Sequence, residues 1–177
     1  MTSTEETLSS PSHIGTKLLQ KLLLTTFLLS LFSIFLSAKD LNLDTIVANA
    51  DGKPLFVFMH KPHCGHCSHM IKFTLQDEEI AKEINRKFVY VNLFTGDEGD
   101  VLFKGFKGSR REFAKHIGYD FYPTSLFIDE HSKIVNVTPG AREQDYFIDV
   151  LHYVATKQYL SMEFETYLDN LDLESDE

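Results

Sequence analysis

The sequence has no tryptophan, only two cysteines and no run of lysine and arginine residues. Two cysteines are too few for a four-cysteine zinc site or for a small scaffold held by several disulfides. With a net charge of −9 and no basic run, the chain lacks the electrostatic footprint that nucleic-acid binding requires. Its 177 residues, 43% of them hydrophobic, are enough for one well-packed core. We therefore expect one globular domain that does not bind nucleic acid.

The N-terminal segment contains an apolar run that is short for a transmembrane helix. Lys17 and Lys21 precede this run, which extends from Leu22 to Leu36 and is followed by small residues. A spanning helix needs about 20 apolar residues, whereas a basic region, a shorter apolar region and a small-residue zone together form a secretory signal. We expect a signal peptide over residues 1–38 and an exported domain over 39–177. An uncleaved signal anchor is the alternative, and it would be the domain's only contact with the membrane.

The two cysteines, Cys64 and Cys67, are separated by Gly65 and His66 and closely follow the apolar run at 55–59. A strand that leads into a Cys-x-x-Cys turn is typical of a thiol–disulfide site. The positive end of the following helix would stabilise a thiolate at its first turn, so Cys64 is the predicted nucleophile. Cys67 lies one turn further in, and we expect it to be more buried and to resolve the mixed disulfide.

The residues around the cysteines suggest how the pair is tuned. His66 can place positive charge near Cys64, which favours the thiolate and makes the couple more oxidising. Gly65 leaves the turn unobstructed, and we expect His63, with His60, to form the rim of the site. An exported location fits this chemistry, because disulfides form and persist in oxidising compartments such as the periplasm.

The alternative is a metal site that combines the cysteines with histidines. Histidine recurs at three-residue intervals around the motif, at His60, His63, His66 and His69. Zinc takes four ligands from cysteine and histidine, so some of these histidines could complete a site with the two thiols. Such a site would serve metal binding or trafficking. C-type haem is excluded because Ser68 stands where its histidine ligand would follow the second cysteine. For an oxidoreductase we predict no bound metal or cofactor.

A second motif, Tyr122-Pro123-Thr124, opens another apolar run. Proline at the start of a strand is accepted only at an edge, a bulge or a special turn. Taken alone, this proline is compatible with an ordinary trans peptide bond, which is the commoner state.

Apolar periodicity and turn residues predict the remaining helices and strands. The expected helices span 41–50, 78–86 with Asp77 as N-cap, 109–117, 143–155 and 161–171, besides one that begins at the cysteine turn and has Cys67, Met70, Ile71 and Thr74 on one face. The expected strands span 55–59, 88–93, 122–129 and 134–138, the last two as an antiparallel hairpin, with a loop or small hairpin over 95–108. The strand at 88–93 is apolar enough to be covered on both faces.

With these two motifs at this spacing, the chain resembles the thioredoxin superfamily and, within it, exported thioredoxin-related proteins of the SoxW type. The likeness covers residues 41–171. It implies an α/β thioredoxin fold, with a central mixed β-sheet flanked by helices, preceded here by the signal or anchor segment and followed by an extra C-terminal helix. It also implies that Pro123 is cis, that the Tyr122 backbone pairs with a substrate peptide, and that Tyr122, Pro123 and Thr124 form the substrate-binding loop beside the cysteines.

The resemblance implies a thiol:disulfide oxidoreductase whose partners are exported proteins with cysteines or disulfides. The SoxW-type likeness favours a reductase, which would need an electron donor at the membrane, whereas Gly65-His66 is the pair found in protein disulfide isomerases. The buried carboxylate of thioredoxins is replaced by Phe58, so the proton of Cys67 must pass to water or to another acid such as Glu78 or Glu79. A binding protein without redox turnover remains the third possibility, and we expect a monomer.

Overall fold

The structure is a computed structural model that describes residues 40–175. The predicted signal or anchor segment lies outside these residues. Within them, no helix is both long enough and apolar enough to cross a membrane.

Seven strands and six α-helices make up the described chain. The strands are β1 (Leu41–Asn42), β2 (Leu55–His60), β3 (Val89–Phe94), β4 (Asp100–Phe103), β5 (Phe106–Ser109), β6 (Thr124–Ile128) and β7 (Ile134–Pro139). The helices are α1 (Leu43–Ala48), α2 (Gly65–His69), α3 (Glu78–Lys87), α4 (Arg110–His116), α5 (Gln144–Ala155) and α6 (Phe164–Ser175). A π-helical turn, Met70–Thr74, continues α2, and a 3₁₀ turn, Gln158–Leu160, precedes α6.

The central sheet has four strands in the order β3-β2-β6-β7. Strands β2 and β3 are parallel, with Leu55 opposite Val89, whereas β6 runs antiparallel to both β2 and β7. This mixed sheet, flanked by helices and followed by an extra C-terminal helix, confirms the predicted thioredoxin fold.

The hydrophobic core lies on both faces of β2, whose residues from Leu55 to Met59 are all completely buried. Alternate side chains of a strand point to opposite faces. Leu55, Val57 and Met59 pack with α1, α4 and the β4–β5 hairpin, whereas Phe56 and Phe58 pack with α3 and α5. The strand that leads to the cysteines is therefore held from both sides.

Strand β3 corrects one prediction. It lies at an edge of the central sheet, and its side chains alternate between buried and partly or fully exposed positions, with Tyr90 45% exposed. The expectation that both faces of this strand are covered is wrong, because Tyr90 and Asn92 point away from the core that Val91 and Leu93 enter.

The N-terminal element and the glycine-containing segment join in a second sheet. The helix expected from residue 41 begins only at Leu43, because Leu41 and Asn42 pair in parallel with Val101 and Leu102 of β4. Strands β4 and β5 form the small hairpin that the sequence allowed at 95–108. The resulting three-stranded sheet, β1-β4-β5, was not predicted.

Side-chain caps fix the starts of two helices. The Asp77 carboxylate accepts hydrogen bonds from the backbone N–H groups of Glu79 and Ile80, which confirms it as the N-cap of α3. Ser109 and Glu112 form a reciprocal capping box at the start of α4. Hydrogen bonds from Ser109 hold the pKa of the Glu112 carboxyl below its usual value.

Candidate functional site

The two cysteines lie where β2 leads into α2, and they are joined by a disulfide with their Cα atoms 5.2 Å apart. Cys64 is the N-cap of α2, and Cys67 lies one turn further along the helix. Cys67 is only 2% exposed, whereas Cys64 is partly exposed. One sulfur can thus be reached from outside and the other cannot, as the sequence predicts.

The start of α2 directs a backbone hydrogen-bond donor at Sγ of Cys64, the outer sulfur. The backbone N–H of Cys67 donates to Sγ of Cys64 over 3.1 Å. First-turn N–H groups of a helix have no partner within the helix, so this donor is free to bind the sulfur. The same group, together with the helix dipole, would stabilise a thiolate at Cys64 after reduction.

A loop with a cis peptide bond between Tyr122 and Pro123 lies against the disulfide. The carbonyl oxygen of Tyr122 is 3.8 Å from Sγ of Cys64. Behind it, the Thr124 hydroxyl donates to the Phe121 carbonyl over 2.7 Å, and the Gly140 N–H donates to the Pro123 carbonyl over 2.8 Å. The loop is therefore braced from both sides.

The three residues of the predicted substrate-binding loop differ in their exposure. Pro123 and Thr124 are buried, and Tyr122 is partly buried. The Thr124 side chain has no exposed surface and uses its hydroxyl to brace the loop. Thr124 is therefore placed to support the loop, whereas the Tyr122 carbonyl lies beside the outer sulfur.

Tyr122 has a neutral phenol and a cationic neighbour. Burial first, and then the negative charge of Asp120, raise the pKa of the Tyr122 hydroxyl to about 12. Lys61 Nζ lies 5.4 Å from the centre of the Tyr122 ring, a cation–π distance. The neighbouring Phe121 is 69% exposed, which is unusual for a large aromatic side chain. The sequence does not predict where Lys61 and Phe121 lie. No local pattern shows that a lysine after β2 will contact Tyr122, or that the phenylalanine before Tyr122 will be exposed.

Gly65, His63 and His66 flank Cys64 in the chain, and all three are exposed. His63 has a φ of 55°, the left-handed conformation that redirects the chain between β2 and α2. A Cβ added at Gly65 would meet no atom within 4 Å, so this glycine is not required by packing.

The other two histidines have separate surroundings. His60 is hydrogen-bonded to Asn92 Oδ1 over 2.6 Å, and its ring lies 4.8 Å from that of Phe94. The His69 ring lies on α2 at 4.8 Å from Phe73. Over residues 40–175, no three side chains of histidine, cysteine, aspartate or glutamate form a group that could hold a metal ion. The regular spacing in the sequence does not bring the histidines together.

The position six residues before Cys64 is apolar in its surroundings as well as in its identity. Phe58 is completely buried, with its ring 6.3 Å from that of Phe56 and 5.3 Å from that of His60. Glu78 and Glu79 are exposed in the first turn of α3. Water can reach the outer sulfur, but no carboxylate occupies the Phe58 position.

Gly96 follows β3 and lies against the loop that carries the cysteines. A Cβ at this position would lie 2.5 Å from Cε1 of Phe94 and 2.9 Å from Cγ of Pro62. Since the proline ring cannot rotate away, we expect Gly96→Ala to lower the free energy of unfolding by about 1–3 kcal/mol. Urea denaturation measures this loss. Gly65→Ala is the matched control and should leave stability nearly unchanged, and equal stabilities of the two variants would contradict the close packing at Gly96.

The chain is similar to known proteins in sequence pattern and in fold. The family model described as Thioredoxin-like domain matches residues 41–155. A thioredoxin-fold protein from Helicobacter pylori superimposes with a TM-score of 0.61 at 18% identity, covering 75% of this chain and 88% of that one. A thioredoxin from Thermus thermophilus superimposes with a TM-score of 0.53 at 22% identity, covering 68% and 89%. No curated protein sequence matches the chain.

Proposed function

Because the chain belongs to the thioredoxin-like domain family, we propose that it is a thiol:disulfide oxidoreductase that exchanges disulfides with partner proteins through Cys64 and Cys67. The observation that carries this proposal is the Cys64–Cys67 disulfide, with one sulfur accessible at a helix start and beside the Tyr122 carbonyl. A disulfide that only stabilised the fold would not need an accessible sulfur next to a braced, partly exposed loop.

In the reducing direction, the Cys64 thiolate attacks one sulfur of a partner disulfide. The partner's S–S bond breaks, its second sulfur leaves as a thiolate and takes a proton, and a mixed disulfide to Cys64 forms. Cys67 then loses its proton and attacks Sγ of Cys64, which releases the second partner thiol. Two electrons pass from the protein to the partner, and the Cys64–Cys67 disulfide is formed. The oxidising direction is the reverse sequence.

The surrounding residues have defined tasks in this proposal. The Cys67 N–H stabilises the Cys64 thiolate, and the exposed His63 and His66, which flank Cys64 in the chain, tune the couple. The Tyr122 carbonyl accepts a hydrogen bond from the partner backbone, while Pro123 and Thr124 hold that carbonyl in place. Because Phe58 offers no proton acceptor, the proton of Cys67 passes to water or to an acid such as Glu78 or Glu79.

For the finer assignment, we propose an exported reductase of the SoxW type, working in the periplasm or an equivalent compartment. The support is the sequence pattern of residues 1–38 and the SoxW-type resemblance. Its partners would be exported proteins with cysteines or disulfides, and its own disulfide would be reduced by an electron donor at the membrane. We propose that it acts as a monomer without a bound cofactor.

The reduction potential of the Cys64–Cys67 couple tests the function and its direction together. The purified protein is first checked for metal and then equilibrated with glutathione buffers. We expect a reduction potential of about −270 mV, as for a reductase. A value between about −180 and −120 mV would replace the reductase by an isomerase or oxidase. Bound metal in stoichiometric amount, without measurable exchange, would overturn the proposed function.

A further inference from the structure

The segment that carries the cysteines is basic. The chain contains 26 aspartate and glutamate residues and has a net charge of −9, yet none of these acids lies between residues 52 and 76. The same segment contains three lysines and four of the eight histidines of the chain. The site is thus carried by a basic segment within an acidic protein.

These basic side chains are presented to solvent along the segment that carries the disulfide. Lys61, His63, His66, His69 and Lys72 are all exposed, and we refer to them as the basic rim. On one side of the rim, Lys61 lies over the Tyr122 ring, and the Tyr122 carbonyl lies 3.8 Å from Cys64 Sγ. On the other, Lys72 Nζ lies 5.0 Å from the centre of the Phe73 ring, which also contacts His69.

Arginines offset most of the acidic charge on the adjoining loops. Asp120 stands beside Tyr122, but the positive charge of Arg111 reaches the same tyrosine. On the loop after β3, Asp97 forms a 3.1 Å ion pair with Arg110, and Glu98 lies next to it in sequence. Arg110 and Arg111 of α4 thus offset two of the three acidic residues on these loops, and the two lysines of the rim exceed the one acid that remains.

The exposed Phe121 indicates that this face meets a polypeptide. It lies next to Tyr122 at the edge of the loop beside the disulfide, with most of its ring in water. Aromatic side chains are enriched at the cores of protein–protein interfaces, so Phe121 is available to contact a partner here.

We propose that the basic rim selects partner proteins in which acidic residues flank the exchanging cysteine. This inference rests on the proposed thiol:disulfide exchange and names its substrate class. Complementary charge at the site increases the association rate and disfavours partners of the wrong charge. An acidic partner attracted to this face is oriented with its cysteine towards Cys64.

The test uses reduced full-length protein and three disulfide-containing peptides that differ only in their flanking residues, which are glutamate, glutamine or lysine. At about 0.01 M salt, where the screening length is about 30 Å, we expect exchange with the glutamate peptide to be about tenfold faster than with the lysine peptide. At about 1 M salt, where this length is about 3 Å, the two rates should converge.

Two double variants locate the effect. Lys61→Gln with Lys72→Gln should reduce the ratio of the glutamate rate to the glutamine rate by at least half. The matched control, Lys87→Gln with Lys133→Gln, makes the same change in net charge at the end of α3 and in the turn before β7, and should leave this ratio unchanged. Equal reduction by both pairs would overturn the role of the rim.

The outcomes separate this inference from the function on which it rests. Exchange with the glutamine peptide but no preference among the three would refute the selection of acidic partners and leave the oxidoreductase intact. Absence of exchange with every peptide, under conditions in which a thioredoxin reacts, would refute the proposed function itself.

Discussion

Replacing Cys67 by serine will turn the protein into a trap that stays bound to its partners through a disulfide. Cys64 keeps its partly exposed sulfur and the backbone N–H donor at position 67, since serine retains the main chain. Its thiolate can therefore still attack a partner disulfide. Without the second sulfur, nothing within the protein resolves the mixed disulfide, and turnover should fall to the background rate.

The matched variant, Cys64→Ser, should abolish both turnover and trapping, because the remaining sulfur at Cys67 is only 2% exposed. Non-reducing gel electrophoresis, followed by mass spectrometry of the shifted bands, measures the trapped species. Equal trapping by the two variants would show that Cys67 is as reachable as Cys64 and would contradict the assigned roles. Trapping by neither, with both variants folded, would favour a binding protein or a metal carrier over an oxidoreductase.

The redox pair could be predicted from the sequence because its signals are local. An apolar strand, a Cys-x-x-Cys turn and a helical pattern follow each other directly. This order alone predicts that the helix dipole acts on Cys64 and that Cys67 is buried. The accessible Cys64 and the buried Cys67 follow from their positions relative to the first turn of α2.

The features that could not be predicted depend on contacts between distant parts of the chain. Leu41 pairs with Val101, although two residues next to a helix have no strand pattern of their own. Lys61 meets Tyr122 only because β2 and the loop before β6 end at the same edge of the sheet. The resemblance implies that Thr124 belongs to the substrate-binding loop, and only the register of β6 shows that its side chain is buried.

The sequence of strand β3 is compatible with two kinds of strand. The sequence Val-Tyr-Val-Asn-Leu-Phe has a nearly continuous apolar character, which favours a strand buried on both faces. Alternation is also present, because Tyr90 and Asn92 are the more polar members. Which description holds depends on whether β3 is central or at an edge, and that depends on the strand order, which is a property of the whole sheet.

Replacing Phe56 by alanine should cost more stability than the other substitutions considered. Phe56 is completely buried on the central strand, and its ring lies between 5.1 and 6.3 Å from four others, those of Phe58, Tyr90, Phe127 and Phe147. It thereby links β2 to β3, to β6 and to α5. Removing a buried phenylalanine ring typically costs about 3–5 kcal/mol, a large part of the roughly 5–15 kcal/mol that stabilises a domain.

Phe121→Ala is the matched control for Phe56→Ala, since it removes the same atoms from an exposed side chain and should change the unfolding free energy by less than about 0.5 kcal/mol. Urea denaturation of the oxidised proteins measures both effects. A loss below about 1 kcal/mol at Phe56 would contradict its place at the centre of the aromatic cluster. The buried cluster that contains Phe56 includes neither cysteine, so a folded Phe56→Ala protein should still exchange disulfides at a rate close to that of the parent. Retained exchange together with a large loss of stability would show that Phe56 stabilises β2 without taking part in the chemistry at the end of this strand.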